Sequence, residues 1–349
     1  MAITAPLTAI LGAAAMVLPT GFAVRAPGPT EDTLGSQVIA GNSVPLVEIA
    51  GAPTFPTTGQ LRLTTVSVSG GPIGPVMPMD VIYSWASPRR SVMPVESVFP
   101  VGITREQQQQ QSAVQMNTSQ EAATAAALTE LGFEIPVTMS VAGFPADSLA
   151  EAVLLPDDVL LELNGLSQTS FGGLLAALTE IEPGTVVDLT IKRDGEVISV
   201  PLQTASATNA DGTTRAALGV FMRSEFDFPI DVSIQIENIG GPSAGSMFAL
   251  AIMDRLTEDD ELQGVPVAGT GAINADGQIL PIGGIRQKMF GALRDGARWF
   301  LAPVANCDEV VGAVPRGLNV VAVSTLHEAR EALIAIGNGH GSTLPTCAQ

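Results

Sequence analysis

The chain is most constrained by a glycine-rich junction that separates two contrasting segments near residue 240. Residues 231–237 alternate between polar and apolar side chains, which is typical of a half-buried strand. Residues 244–256 are largely apolar, which favours a buried helix. The connection, residues 240–245, has the sequence GGPSAG. Glycines let a backbone approach a substrate and free amides at a helix start can stabilise an oxyanion, so Ser243 is a candidate nucleophile.

A serine hydroxyl becomes a good nucleophile only when a neighbouring base takes its proton. The two histidines are poor candidates, because His327 lies in a helix-like surface stretch and His340 lies in a glycine-rich tail. Arginine stays charged in proteins, and the chain has only two lysines, Lys192 and Lys288. Lys192 lies where a strand runs into a turn, whereas Lys288 lies among apolar and glycine residues. Burial there would lower the lysine pKa from about 10.4 toward the range of about 7 to 8 that suits a general base.

Three motifs, in this order, resemble the proteolytic domain of Lon peptidases. They are GPSAG at residues 241–245, Thr-Gly at residues 270–271 and GQILPIGGIRQK at residues 277–288. The order of the motifs and the separation of the serine from the lysine fit that family. The resemblance covers roughly residues 210–335.

This resemblance implies a serine peptidase with a Ser-Lys dyad. Ser243 would be the nucleophile, Lys288 its general base, and Thr270 a residue that orients the lysine or lines the site. The positions that would support the serine are Gly241, Pro242 and Ala244.

The chain departs from the Lon pattern in three respects. An acidic residue often precedes Gly-Pro-Ser in that family, and this chain has Gly240 there. Glutamate is common where this chain has Ala272. The sequence also contains no G-x-x-x-x-G-K-S/T, the phosphate-binding loop of an ATPase. The resemblance implies an endopeptidase, and the missing phosphate-binding loop predicts that it is ATP-independent. No cofactor is expected.

A second resemblance, to PDZ domains, covers about residues 131–204, where short strand-like runs alternate with turns. One departure is Asp157, where that family usually has glycine before Asp-Val. PDZ domains bind extended peptide ends by adding a strand to a sheet edge. The resemblance implies a carboxylate-binding loop at Leu131, Gly132 and Phe133.

The expected fold class is therefore multidomain α+β, with a β-rich PDZ-like domain and a C-terminal Lon-type α+β proteolytic domain. Four regions are predicted along the chain. They are a transmembrane signal anchor at 1–25, a strand-containing and linker region at 26–115, a PDZ-like domain with a preceding helix at 116–206, and a Lon-like proteolytic domain at 210–349.

The anchor prediction rests on residues 1–24, which carry no charged side chain. About 20 apolar residues span a bilayer as a helix. A cleaved signal peptide that ends near Ala23 is the alternative. An N-terminal apolar segment followed by PDZ-like and Lon-like domains resembles the bacterial membrane-anchored PDZ–Lon-like peptidases. That resemblance favours the anchor and implies that both domains lie outside the cytoplasmic membrane.

Export would also make the two cysteines, Cys307 and Cys347, a predicted disulfide. The two cysteines and two histidines show no metal-ligand spacing, so no metal site is expected. The chain has 35 acidic and 16 basic residues, which argues against a nucleic-acid partner. The expected partners are protein or peptide substrates and the membrane. A homo-oligomer is also possible, because Lon domains commonly form rings.

Two other functions fit parts of the sequence. The first is a non-catalytic PDZ peptide-binding scaffold on an inactive peptidase domain, which Gly240 favours weakly and the intact Ser-Lys pair opposes. The second is a Ser-His-Asp hydrolase, because residues 241–245 match G-x-S-x-G and Asp295 or Asp308 precedes His340. That fold requires several strands before the serine, where this chain has its PDZ-like region.

Overall fold

The computed structural model describes residues 18–39, 41–100, 102, 104–208, 213–236 and 239–347. The chain forms two compact units. The first unit consists of Met1–Gly132 together with Ile230–Gln349, and the inserted unit is Phe133–Pro229. The N-terminal and C-terminal segments, each more than a third of the chain, therefore fold together.

The described α-helices range from four to 26 residues in length. They are α1 Pro78–Trp85, α2 Arg105–Glu130, α3 Phe171–Thr179, α4 Gly245–Leu256, α5 Ile285–Arg294, α6 Cys307–Val310 and α7 Leu326–Gly337.

The strands of the first unit come from both of its chain segments. They are β1 Phe22–Asp32, β2 Ser36–Ile39, β3 Asn42–Pro45, β4 Val47–Ala50, β5 Gln60–Ser69, β6 Ser91–Pro94, β15 Asp231–Ile234, β16 Pro266–Gly269, β17 Ala272–Ile273, β18 Ile279–Leu280, β19 Trp299–Pro303 and β20 Asn319–Val323. The strands of the inserted unit are β7 Val137–Gly143, β8 Val159–Leu163, β9 Leu166–Ser167, β10 Val186–Arg193, β11 Glu196–Gln203, β12 Ala205–Thr208, β13 Thr214–Ala217 and β14 Phe221–Phe226.

The main sheet of the first unit joins N-terminal and C-terminal strands in the order β20-β19-β16-β5-β1-β6. The pairs from β20 to β5 are parallel, and β1 pairs antiparallel with both β5 and β6. Leu61 and Leu63 of β5 and Phe300 of β19 are fully buried. The central strand β5 thus connects the region predicted as a separate 26–115 segment to the core of the predicted proteolytic domain.

Strand β1 corrects two expectations about the N-terminus. Residues 22–25, predicted as the end of the anchor, begin this strand, and Ala23 is fully buried in it. The Pro-Gly-Pro sequence at residues 27–29 has a composition that predicts a turn, but it continues the strand through an irregularity between Pro27 and Thr30. A bulge accommodates prolines that cannot donate to a ladder. Gly28 is required there, because a Cβ would overlap Thr65 Oγ1.

No helix among the described residues is long and apolar enough to cross a membrane. Residues 1–17 of the predicted anchor lie outside the described residues.

Helix α2 begins much earlier than its sequence signals predict. The sequence TSQE at residues 118–121 has capping-box spacing and predicts a helix start there. The helix instead begins after Thr104, where Thr104 and Gln107 cap each other's backbone amides. A run of five glutamines at residues 107–111 therefore forms part of the first turns of this helix. The helix packs along α4 and belongs to the first unit, not with the 116–206 region.

The inserted unit is built on a sheet with the order β11-β10-β8-β7-β14. Its core contains Leu163, Leu174 and Leu189, all nearly inaccessible to solvent. The last strand, β14, pairs antiparallel with β7. This pairing places residues 213–226 in the inserted unit, although residues from 210 onward were expected to belong to the proteolytic domain.

A disulfide joins Cys307 at the start of α6 to Cys347 near the end of the described chain. Their Cα atoms are 5.1 Å apart, and the two cysteines are separated by 40 positions in the sequence. Cys347 packs against the apolar core that contains Phe300 and Val310. The disulfide therefore fixes the C-terminal segment to the sheet.

We expect the double variant Cys307→Ser/Cys347→Ser to lower the free energy of unfolding of the first unit by about 4 kcal/mol, because the unfolded chain regains its loop entropy. Both tryptophans, Trp85 and Trp299, lie in the first unit, so their fluorescence during urea unfolding measures this change. An unchanged unfolding midpoint in oxidising buffer would contradict the prediction.

Candidate active site

Ser243 lies in the glycine-rich connection between β15 and the first turn of α4. Gly241 adopts a φ of +86°, a left-handed conformation that favours glycine. Gly245 has no room for a side chain, because a Cβ would lie 2.8 Å from both Ile273 Cγ2 and Ser119 Oγ. The glycines of this motif therefore set the turn and the close approach of neighbouring elements.

Helix α2 holds this connection in place from outside. The amide of Gly241 donates to the carbonyl of Ser112 at 3.2 Å. Ser119 Oγ donates to the carbonyl of Pro242 at 3.0 Å. Pro242 itself is exposed, whereas Ala244 is buried. The sequence did not identify the two serines of α2 as part of the site.

Lys288 reaches Ser243 from helix α5. Its Nζ lies 2.8 Å from Ser243 Oγ and 2.8 Å from Thr270 Oγ1. The helix begins at Gly284, whose φ is +76° and where a Cβ would lie 2.8 Å from Val66 Cγ1. Gly284, the N-cap residue, therefore allows the helix to start directly against β5.

Thr270 fixes the direction of the hydrogen bonds around the lysine. Its hydroxyl donates to the carbonyl of Ser243 at 2.8 Å, and the amide of Gly271 donates to the same carbonyl at 3.0 Å. Because the Thr270 proton is used there, its oxygen accepts from Lys288 Nζ. A neutral amine has one lone pair, and in this arrangement the lone pair is left for the proton of Ser243 Oγ.

Burial tunes the lysine for this task. The Lys288 side chain is 1% exposed, and desolvation lowers the pKa of its amine from 10.5 to about 7. An ammonium group loses its hydration when it is buried, so the neutral form is favoured. Near neutral pH a substantial fraction of the amine is therefore able to accept a proton.

A cavity of about 430 Å³ opens beside the dyad. Ser243, Ala244 and Lys288 line one side of it, and residues 64–68 of β5 line another. Strand β16 pairs with β5 only as far as Leu63, so among the described residues no strand pairs with this edge of residues 65–68. The cavity therefore combines a nucleophile with a free strand edge.

Two backbone amides near Ser243 are available to bind an anion. In the described part of the chain the N–H groups of Ser243 and Ala244 donate to no protein acceptor. Both residues line the cavity and precede the first residue of helix α4. Free amides at a helix start are suited to stabilising a negatively charged oxygen.

The histidines lie elsewhere. His327 Nδ1 contacts Glu130 Oε1 at 2.6 Å on the surface. His340 is exposed and precedes a short 3₁₀ turn at Gly341–Thr343. The group that hydrogen-bonds Ser243 Oγ is a lysine, so the Ser-His-Asp arrangement is not the one in this fold.

The three residues predicted to bind a carboxylate lie outside the lining of the cavity described for the inserted unit. Leu131 is the C-cap of α2, and Gly132 follows it with a φ of +86°. Phe133 lies in the connection before β7. The cavity of that unit, about 300 Å³, is lined by Phe171, Leu175 and other α3 side chains and by residues 218–220. This second Leu-Gly-apolar sequence, Leu218-Gly219-Val220, leads directly into β14.

Among the described residues, no group of three or more His, Cys, Asp or Glu side chains could hold a metal ion.

The site lies in a serine peptidase domain and brings a buried lysine to hydrogen-bond distance from a serine. A profile of the Lon protease (S16) C-terminal proteolytic domain matches residues 157–335. The chain belongs to that family.

Two relatives illustrate the similarity. The Lon protease of Helicobacter pylori is 32% identical over 146 residues, which are 40% of this chain and 16% of the relative. Lon protease 1 of Bacillus subtilis is 28% identical over 179 residues, 50% of this chain and 23% of the relative. The chain therefore spans about a fifth of the length of the curated relatives it matches.

A solved structure, the PDZ domain of an SdrC-like protein from Listeria monocytogenes, is also similar. The matched region is 24% of this chain and 85% of the Listeria chain, with 19% sequence identity and a TM-score of 0.22.

The buried lysine predicts an unusual pH dependence of stability. Between pH about 7 and 10.5 the unfolded state binds a proton at Lys288 that the folded state lacks, so the free energy of unfolding rises with pH in this window. We expect Lys288→Met to be more stable than wild type at pH 6, and the difference to shrink by up to about 1.4 kcal/mol per pH unit above 7.

Urea unfolding followed by tryptophan fluorescence at pH 6, 7, 8 and 9 would measure this difference. The matched control is Lys192→Met, which removes the chain's other lysine from an exposed position on β10. A constant difference between wild type and Lys288→Met across these pH values would contradict the prediction.

Proposed function

We propose that this chain is an ATP-independent serine endopeptidase that cleaves unfolded, exported or membrane-tethered proteins. The observation that carries the proposal is the 2.8 Å contact between Ser243 Oγ and the buried Lys288 Nζ. A neutral lysine at hydrogen-bond distance from a serine in an open cavity is the arrangement that nucleophilic catalysis requires.

The reaction follows from this geometry. Ser243 Oγ attacks the peptide carbonyl while its proton moves to Lys288 Nζ. The amides of Ser243 and Ala244 stabilise the developing oxyanion. Lys288 then gives the proton to the leaving amine, which leaves an ester on Ser243. Water hydrolyses the ester with Lys288 again as the base, and the free serine is restored.

The free edge of β5 offers a place for the substrate backbone. A peptide segment that pairs with residues 65–68 would lie in the same cavity as Ser243 and Lys288. Strand addition satisfies main-chain hydrogen bonds without regard to side-chain identity. This mode of binding suits an enzyme that cleaves extended, unfolded segments.

The dyad is tested by following cleavage of an unfolded protein without ATP. We expect wild type to be active and both Ser243→Ala and Lys288→Arg to lose at least about 10³-fold in rate, because arginine keeps the charge but cannot take the proton. Lys288→Met also lacks the base and is expected to fold, so the test remains valid if Lys288→Arg misfolds. Full activity in His340→Ala is the matched control.

Three outcomes would count against the proposal. Activity that survives in Lys288→Arg would overturn the assigned base. Activity that requires ATP would overturn the ATP independence. Binding of peptides without cleavage by folded wild type would favour the scaffold function instead.

We also expect the rate to follow the protonation of the lysine. The kcat/KM for a quenched-fluorescence peptide should rise about tenfold per pH unit below pH 7 and level off above it, because only the neutral amine acts as a base. A rate that is flat between pH 5.5 and 8, with the fold intact by fluorescence, would contradict this prediction.

The inserted unit supports a second role, the capture of peptide ends. Its cavity lies between helix α3 and the segment that leads into β14, and Leu218-Gly219-Val220 is the better candidate there for the loop first assigned to residues 131–133. A peptide strand added along β14 would place its terminal side chain against the apolar residues of α3.

We expect Phe171→Ser/Leu175→Ser to weaken binding of hydrophobic peptide ends at least about tenfold, because apolar contact area is lost. The matched control is Leu166→Ser, which alters an exposed leucine of β9 outside the cavity. Fluorescence polarisation with labelled peptides would measure both. Equal weakening by the control would contradict this assignment.

The proposed location is the outer side of the cytoplasmic membrane, with attachment through the segment before β1. Support comes from the uncharged residues 1–21 that precede the strand and from the Cys307–Cys347 disulfide, which suits an oxidising compartment.

A further inference from the structure

Helix α1 presents an apolar face that no other described element covers. Its inner side, Val81 and Ser84, is buried, and Val81 packs with Val24 and Val76. The outer side consists of large side chains with half or more of their surface exposed, namely Met79, Ile82, Tyr83 and Trp85. Four such side chains on two turns are a concentrated exposed apolar patch.

Two arginines follow the helix and border this patch. The Arg90 guanidinium lies 4.8 Å from the ring centre of Tyr83, and that of Arg89 lies 5.7 Å from the ring centre of Phe290. The helix itself carries a single charge, Asp80, which caps the amide of Met77. In a protein of net charge −19 this is a locally basic edge beside an aromatic face.

The patch lies directly beside the start of the folded chain. The ring of Trp85 meets the ring of Phe22, the first residue of β1, edge to face with centroids 6.3 Å apart. The amide and hydroxyl of Thr20 both donate to the carbonyl of Val76, two residues before α1. Between the uncharged N-terminal segment and the sheet there is therefore no spacer.

We propose that the outer face of α1, together with Arg89 and Arg90, lies in the headgroup region of a lipid bilayer. The proposal rests on the attachment of residues 1–21 to the membrane proposed above. Because the chain is fixed to the fold from Thr20 onward, a membrane-attached segment before it would bring the surface around Phe22 close to the bilayer. Tryptophan and tyrosine favour the membrane–water interface, and arginine binds lipid phosphates there.

The size of the patch favours lipid over a second copy of the chain. A helix of eight residues is about 12 Å long, whereas a stable protein interface needs roughly 800 Å² from each partner. A lipid contact needs no such area, because a weak surface contact adds to an anchor that is already inserted.

The two tryptophans allow the contact to be measured in the full chain. Trp299→Phe leaves Trp85 as the single tryptophan, and Trp85→Phe leaves Trp299, which packs against Gly341 in the first unit. Each variant is mixed with phosphatidylcholine–phosphatidylglycerol vesicles whose acyl chains are or are not brominated near the headgroup. Flotation of the vesicles tests the attachment separately.

Bromination should quench the Trp85 emission by about twofold or more and leave the Trp299 emission nearly unchanged, because only Trp85 would sit at the depth of the bromines. Arg89→Gln/Arg90→Gln should reduce the quenching on anionic vesicles to the level seen on pure phosphatidylcholine. If the chain floats with vesicles but Trp85 is quenched no more than Trp299, the inference is overturned while the attachment stands.

Three other results would also overturn the lipid contact. Failure to float would remove the attachment and the lipid contact together. A Trp85 emission that shifts to the blue with protein concentration, without vesicles, would show an interface between copies. A Trp85 emission that iodide cannot quench in vesicle-free protein would show that part of the chain itself covers the helix.

Discussion

The chemistry open to the candidate site depends on keeping one amine out of water. In the described part of the chain, Lys288 Nζ forms hydrogen bonds to two hydroxyl groups. The pKa of the amine is therefore set by the packing around it. That packing comes from helix α5, the central sheet and the glycine turn that carries Ser243. Desolvation disfavours the charge, and the two hydroxyls accommodate the neutral form. The fold therefore favours the neutral form of this amine by excluding solvent from it.

The same enclosure explains why so many glycines surround the site. Gly245, Gly271 and Gly284 each lie where a Cβ would come within 2.8 Å of a neighbouring side chain. Gly271 lies against Ser246 and Ile279, and Gly284 lies against Val66. These contacts bring the strands, the turn and α5 close enough to exclude water from Nζ while Ser243 stays half-exposed at the cavity.

Local patterns predicted the elements that carry the chemistry, because each signal was confined to a few residues. The alternating strand that begins at Asp231 and the glycine turn before α4 are examples. Long-range placement was not predictable in the same way. Nothing near Ser119 indicates that its hydroxyl binds Pro242, far along the chain. The Pro-Gly-Pro turn signal of β1 was overridden by pairing with β5, and no local signal indicates that β14 pairs with β7.

The site residues come from segments far apart in the sequence, and this affects when the site forms during folding. Ser112 and Ser119, Ser243, Thr270 and Lys288 come from distant segments, and β5 must be held between β1 and β16 before the cavity exists. Contacts of such long sequence separation form late in folding. While the chain is being synthesised, Ser243 has no lysine partner until α5 has left the ribosome and docked. The order of the sequence thus delays assembly of the Ser243–Lys288 pair until most of the chain has been made.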